Sequence, residues 1–187
     1  MSRTNVKSPA NDIDRILFDK ATIQNRVKAL SQEINEVYKE HALTVIAVAN
    51  GAMIFTADLV RELDMHVRLD CIRASSYSNS TTAQNPPKII NALKLDIKGT
   101  HVLLIDDILD TGNTLLNISK LLLEMKPASL KTCVLLDKQM RRTVDIEADF
   151  VGFNVPDEFV VGYGLDFAES YRQLPEIGVL RKELYER

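Results

Sequence analysis

Three runs of consecutive apolar residues constrain the fold of this 187-residue chain: Leu43–Ala49 (LTVIAVA), 101–105 (HVLLI) and 129–136 (SLKTCVLL). A strand that is apolar on both alternating faces must be covered on both, as in a parallel sheet packed between helices. Helical spacing fills the intervals. Ile23, Val27, Leu30, Ile34 and Val37 predict a helix over 22–39, capped by Thr22. Ile54, Leu59, Val60 and Leu63 predict another over 52–63, and Leu115, Leu116, Ile118, Leu122 and Leu123 a third over 113–125. A further strand fits 66–74, and shorter ones fit 150–153 and 159–161, separated by Pro156 and Asp157. The tail Ile177–Leu180 is apolar again. Strands alternating with helices in this way give an α/β fold around a central parallel sheet. Ligands of such sheets bind beyond the carboxyl ends of the strands.

The length suits a single domain, and 45% hydrophobic with 26% charged residues is ordinary for a globular protein. A net charge of −3 excludes a general electrostatic footprint for nucleic acid. The small basic cluster of Lys138, Arg141 and Arg142 reads locally as a solvated turn. Residues 1–14 are polar and lack the apolar stretch of a signal peptide, and no apolar run approaches the ~20 residues that span a bilayer. A soluble, cytoplasmic protein without membrane or nucleic-acid partners is expected. Cys71 and Cys133 sit in apolar, strand-like runs and are expected to be buried, reduced thiols. Segment 75–88 (SSYSNSTTAQNPPK), rich in Ser, Thr and Asn and ending in a proline pair, is expected to be a mobile loop. His41, His66 and His101 fit no catalytic pattern.

The chemically unusual segment is 102–115, VLLIDDILDTGNTL. A buried strand runs into Asp106 and Asp107, then Ile108 and Leu109, and then Asp110-Thr111-Gly112-Asn113-Thr114 opens a helix. Gly112 permits a tight turn and close approach to a ligand. The N–H groups of the helix start, with the hydroxyls of Thr111 and Thr114, form an anion cradle. Three carboxylates beside that cradle would repel an anion unless a cation intervened. Hard oxygen ligands sharing a divalent ion with substrate phosphates point to Mg²⁺. The GxxxxGK[ST] pattern of a Walker A loop is missing.

This segment resembles the signature of type I phosphoribosyltransferases, which bind phosphoribosyl pyrophosphate (PRPP). Over roughly 43–180 the chain is similar to the hypoxanthine-guanine branch of that family. The resemblance implies one domain spanning 1–187, with a core of about 20–150 and a small hood from about 1–19 and 151–187. It also implies a mobile lid over about 75–88. The implied reaction transfers the 5-phosphoribosyl group to N9 of hypoxanthine or guanine, giving IMP or GMP and pyrophosphate, with Mg²⁺ as cofactor and a homodimer or homotetramer as assembly.

By the same resemblance, Thr111, Gly112, Asn113 and Thr114 hold the 5′-phosphate, and Asp106 and Asp107 hold the ribose hydroxyls and a metal. Asp110 takes the proton from N7 of the purine. Such a base can also oppose the positive charge that develops at C1′ as pyrophosphate leaves. Ala49, Asn50 and Gly51 match a pyrophosphate clamp that reads Leu-Lys-Gly in many relatives, with a cis first peptide bond. Here the lysine cation is replaced by Asn50. Arg73, Ser76 and Tyr77 match the start of the lid, and Arg172 an arginine that reaches pyrophosphate. Lys138 matches the donor to the purine 6-oxo group, Phe159 the stacking ring and Val160 a backbone contact to the base. Asp166 matches the ligand of a second Mg²⁺. Asn113 stands where some relatives carry a basic residue, and is expected to be tolerated.

Two alternatives stay open at this point. A xanthine-preferring enzyme shares the 6-oxo contact and differs only at C2 of the base. A regulator of the same fold would bind PRPP without turnover, but its attenuator type carries a non-acid at the position of Asp110.

Overall fold

The computed structural model describes residues 8–75, 88–89 and 93–186. In chain order the elements are β1 (Ile13–Phe18), α1 (Lys20–Val37), β2 (Leu43–Ala49), α2 (Met53–Val60), β3 (Val67–Ser75), β4 (Lys88–Ile89) and β5 (His101–Leu109). There follow α3 (Asn113–Glu124), β6 (Ser129–Asp137), β7 (Phe150–Asn154), β8 (Val160–Val161) and β9 (Ile177–Leu180). The main sheet has the order β4-β3-β2-β5-β6-β7. Its strands β3, β2, β5, β6 and β7 are parallel, and β4 pairs antiparallel at the edge.

The consecutive apolar runs are explained by two helical layers. Val45, Leu103, Ile105, Cys133 and Leu135 pack with Ile23, Val27, Leu30 and Ile34 of α1 and Phe55 and Leu59 of α2. Their sequence neighbours Ile46, Val48, Val102, Leu104 and Val134 pack on the other face against Leu115, Ile118 and Leu122 of α3. Each such fully buried Leu or Ile contributes about 1.5–3 kcal/mol. This sandwich fixes where β2 and β5 end, and hence where the loops after them meet.

Several boundaries differ from expectation. Helix α1 starts earlier than 22, because Asp19 is its N-cap and accepts a hydrogen bond from the N–H of Thr22 (2.8 Å). Helix α2 is shorter than 52–63, turning out of the helix at Arg61. Strand β5 does not stop at residue 105. Its partner β6 runs on to Asp137 and supplies ladder positions for Asp106, Ile108 and Leu109, so the paired acids lie on the strand itself. Cys133 is buried, which raises its thiol pKa, but Cys71 is exposed. Among the described residues no helix covers its face of β3, where Leu69 and Arg73 are also open. Strand β1, which polar residues hide in the sequence, pairs antiparallel with β9, and β9 with β8, giving a second sheet of order β1-β9-β8. Phe18 stacks on Phe153 of β7 (4.0 Å between centroids) and joins the two sheets. No helix among the described residues is long and apolar enough to cross a membrane.

Asp149 fastens the entry of β7 to β6. Its carboxylate accepts from the N–H (2.8 Å) and hydroxyl (3.1 Å) of Thr132 and from Lys131 (2.9 Å). Burial pushes its pKa up, but these donors outweigh burial and leave it lowered. A lowered carboxylate pKa stabilises the fold above the unfolded-state value and loses that effect as pH falls through the folded-state value. Asp149→Ala is expected to cost about 2 kcal/mol at neutral pH. In urea titrations at neutral and acidic pH, the gap from the unaltered chain should narrow on the acid side.

Candidate active site

Two strand ends build the site. At the end of β2 the Ala49–Asn50 peptide is cis, and Asn50 and Gly51 lead into α2. At the end of β5, the turn 110–112 leads into α3 through Gly112 in the left-handed region (φ 88°). A side chain at 112 would also collide with Val144 and Ile146. Between these ends lies a cleft of about 390 Å³, lined by Ala49, Gly51, Asp106, Asp107, Asp110, Thr111, Gly112 and Thr114 among others.

Asp106 is 5% exposed and accepts a hydrogen bond from the N–H of Asp107 (2.9 Å); Asp107 accepts from that of Ile108 (2.9 Å). Burial raises both carboxyl pKa values. The neighbouring Asp107 charge raises Asp106 further, while Arg172 partly opposes the rise at Asp107. Adjacent carboxylates, one buried and one half-buried, call for a counter-charge. Among the described residues no cluster of three or more metal-ligating side chains exists. Asp106 and Asp107 offer a partial donor set of hard oxygens, which suits an ion whose other ligands come from water and substrate oxygens, as for Mg²⁺.

Gly112 offers no side-chain cap to α3; the N–H of Asn113 makes only a long contact to the Thr111 hydroxyl (3.5 Å), which leaves the helix start open to an anion. Asn113 does not point into a free cradle. Its amide donates to the hydroxyls of Thr111 (3.3 Å) and Thr143 (3.2 Å) and so braces the turn from behind. Thr143 in turn donates its N–H (3.0 Å) and hydroxyl (3.2 Å) to the carbonyl of Thr111. Asp110 has one buried oxygen, Oδ1, with no hydrogen-bond partner among the described residues; Oδ2 lies 3.5 Å from Arg141. A buried acceptor left unpaired in a cleft is costly unless a ligand completes it.

Around this centre the other expected residues fall into two groups. Arg73, at the end of β3, donates to Asn50 Oδ1 (2.9 Å), so a guanidinium stands beside the loop that lacks the lysine. Arg172 pairs with Asp166 (2.9 Å) and donates to the carbonyl of Gly164 (2.8 Å). Asp166 also accepts from the N–H of Glu169 (2.9 Å). In the second group, Lys138 is 5% exposed and donates to the carbonyl of Glu158 (2.9 Å), beside Phe159 and Val160. Phe159 stacks on Tyr185 (4.9 Å, 28°) and meets Phe167 edge-on (5.4 Å). Ser76 and Tyr77, with most of the 75–88 segment, lie outside the described residues.

Of the basic cluster, only Arg141 is open; Lys138 and Arg142 are not the solvated turn expected locally. Arg142 forms an ion pair with Asp137 and donates to the carbonyl of Asp110 (2.8 Å), a role the sequence reading missed. Its position four residues after Lys138 is the only sequence hint.

This architecture and loop define a phosphoribosyl-transferring class of protein, and residues 16–168 match the family model for the phosphoribosyl transferase domain. The chain is 45% identical to a hypoxanthine-guanine phosphoribosyltransferase of Bacillus subtilis, covering 94% of this chain and 98% of the relative. It is 49% identical to one of Aquifex aeolicus, covering 87% and 92%. A crystal structure of a hypoxanthine phosphoribosyltransferase from Staphylococcus aureus superposes with a TM-score of 0.91 at 42% identity, covering 95% and 97%. The chain belongs to the phosphoribosyltransferase family, in its hypoxanthine-guanine branch.

Proposed function

We propose that this chain salvages purines by transferring the 5-phosphoribosyl group of PRPP to N9 of hypoxanthine or guanine, releasing pyrophosphate with IMP or GMP. The observation that carries this reading is the partnerless buried oxygen of Asp110, set between the adjacent acids Asp106, which is buried, and Asp107, which is half-buried, and a helix start without a side-chain N-cap.

The N–H groups of 111–114 and the hydroxyls of Thr111 and Thr114 bind the 5′-phosphate, with Asn113 holding Thr111 in place. Asp106 and Asp107 hold the ribose hydroxyls. With Asp166, they would hold Mg²⁺, which neutralises the leaving pyrophosphate. Asn50, Gly51, Arg73 and Arg172, with Ser76 and Tyr77, surround the pyrophosphate. Lys138 donates to O6, Phe159 stacks on the base, and Val160 meets its edge through the backbone. As the C1′–oxygen bond to pyrophosphate breaks, N9 bonds to C1′ and Asp110 accepts the proton from N7. A hood of 1–19 and 151–187 over a 20–150 core, two or four copies per assembly and a cytoplasmic location belong to the same reading.

Steady-state assays with PRPP, Mg²⁺ and each purine test it. Turnover is expected with hypoxanthine or guanine, none with adenine, and loss of all turnover in EDTA that added Mg²⁺ restores. A preference for xanthine would move the reading to the sister enzyme. Tight PRPP binding without turnover of any base would make the chain a regulator.

A further inference from the structure

The turn 162–164 carries three successive residues in the left-handed region, at φ 100°, 48° and 106°. Glycine accepts this freely at 162 and 164, whereas a tyrosine at 163 does not. Tyr163 is nonetheless 6% exposed, and its hydroxyl donates to Asp58 Oδ2 at 2.6 Å. Asp58 lies on α2, the helix that the Asn50–Gly51 loop opens, and also forms an ion pair with Arg61. Burial and the Asp58 hydrogen bond both raise the tyrosine pKa, so the hydroxyl stays a donor at any physiological pH.

What the turn rests on is the pyrophosphate loop. A Cβ on Gly164 would overlap the carbonyl oxygen of Gly51, and a Cβ on Gly51 would overlap the carboxylate of Asp107. The turn 162–164 and the loop after β2 thus meet backbone to backbone, and that loop in turn lies directly on the Asp107 side chain of β5. The turn is also bound to the segment that carries Arg172. Gly164 donates its N–H to the carbonyl of Arg172 (3.0 Å) and accepts from that guanidinium, and Tyr163 donates its N–H to the carbonyl of Leu174 (2.8 Å).

We infer that Tyr163 and Asp58 are a positioning pair: their hydrogen bond clamps the turn 162–164 onto Gly51 and so sets Arg172 and Asp166 against the pyrophosphate side of the site. The pair touches no reacting atom. The inference rests on the proposed roles of Arg172 and Asp166 in holding PRPP. Because it acts on one substrate, it should separate that substrate's KM from the other kinetic constants.

Tyr163→Phe and Asp58→Ala are each expected to raise the KM for PRPP about tenfold, the scale of a lost hydrogen bond to a charged group. The purine KM and kcat should stay within about twofold, which lies inside the ordinary effect of a peripheral change. Asp58→Asn keeps an acceptor and should restore a near-normal KM. The double variant should be no worse than either single one, because both remove the same bond. Thermal melts establish that each variant is folded. A lowered Tm with an unchanged PRPP KM would make the pair merely structural and overturn the inference, as would additive effects in the double variant. Arg172→Ala is the separate control on the underlying reading. If it leaves the PRPP KM unchanged, the pyrophosphate assignment fails and the positioning role goes with it. If it raises the KM while Tyr163→Phe does not, only the positioning role fails.

Discussion

Replacing Asp110 by asparagine is expected to lower kcat by about 10²–10⁴-fold, the usual range for a lost general base. Asparagine keeps the size of the side chain and can still accept through one oxygen, so the fold of the turn should survive. The backbone carbonyl of Asp110, which accepts from Arg142, is untouched by the change. What disappears is the capacity to take a proton at a site where one carboxylate oxygen is buried and unpartnered among the described residues. PRPP affinity should change little, since the acids at 106 and 107 remain. A fall in kcat without loss of substrate binding marks an interaction made in the transition state. Normal turnover by the variant would remove Asp110 from the chemistry. Weakened PRPP binding would instead make it a ribose or metal ligand.

The other large effect should come from the smallest possible change, Gly51→Ala. The added methyl would occupy the space of the Asp107 carboxylate. Either Asp107 rotates away from the cleft or the loop after β2 lifts off it, and both disrupt the same binding surface. We expect kcat/KM for PRPP to fall by at least about 10²-fold, comparable with a misplacement of about 1 Å at a reacting centre. Because α2 and β2 remain packed in the core, the melting temperature should fall by only a few degrees, about what 1 kcal/mol produces in a domain of this size. Activity close to that of the unaltered chain would mean that Asp107 does not bind substrate in the orientation described.

Parts of this arrangement can be read directly from the sequence because local pattern decides them. Strand β2 is legible because α2 and α3 cover its opposite faces, which forces both of its side-chain rows to be apolar. The turn of Asp110 to Thr114 is legible because an acid, a hydroxyl residue, a glycine and a second hydroxyl residue at a helix start form a local pattern that needs no distant partner. Where distant segments decide, the pattern is silent. The last third of β5 looks like loop until β6 is present to pair with it. Thr22 and Asp19 are both good caps, and only the start of the first helical turn chooses between them. Lys138 and Arg142 look solvated because their acceptors, the carbonyls of Glu158 and Asp110, are 20 and 32 residues away in the chain. Asn113 reads as a missing cation, although its amide is engaged in holding Thr111 and Thr143. Cys71 misleads for the opposite reason: an apolar run implies cover, but its side of β3 is open among the described residues.

If Lys138 is the donor to the purine, as proposed, its setting bears on selectivity. Its ammonium is already stripped of most water, because one N–H is given to Glu158 and the residue is 5% exposed. Dehydrating a cation is among the largest costs of binding a polar ligand, and in this protein folding has met it beforehand. An arriving carbonyl oxygen therefore meets a donor that is oriented and dry. An amino group at the same place would meet hydrogens facing hydrogens. Under the proposed role of Lys138, the site would read hydrogen-bond polarity and reject a base of the right outline when its exocyclic group donates instead of accepts.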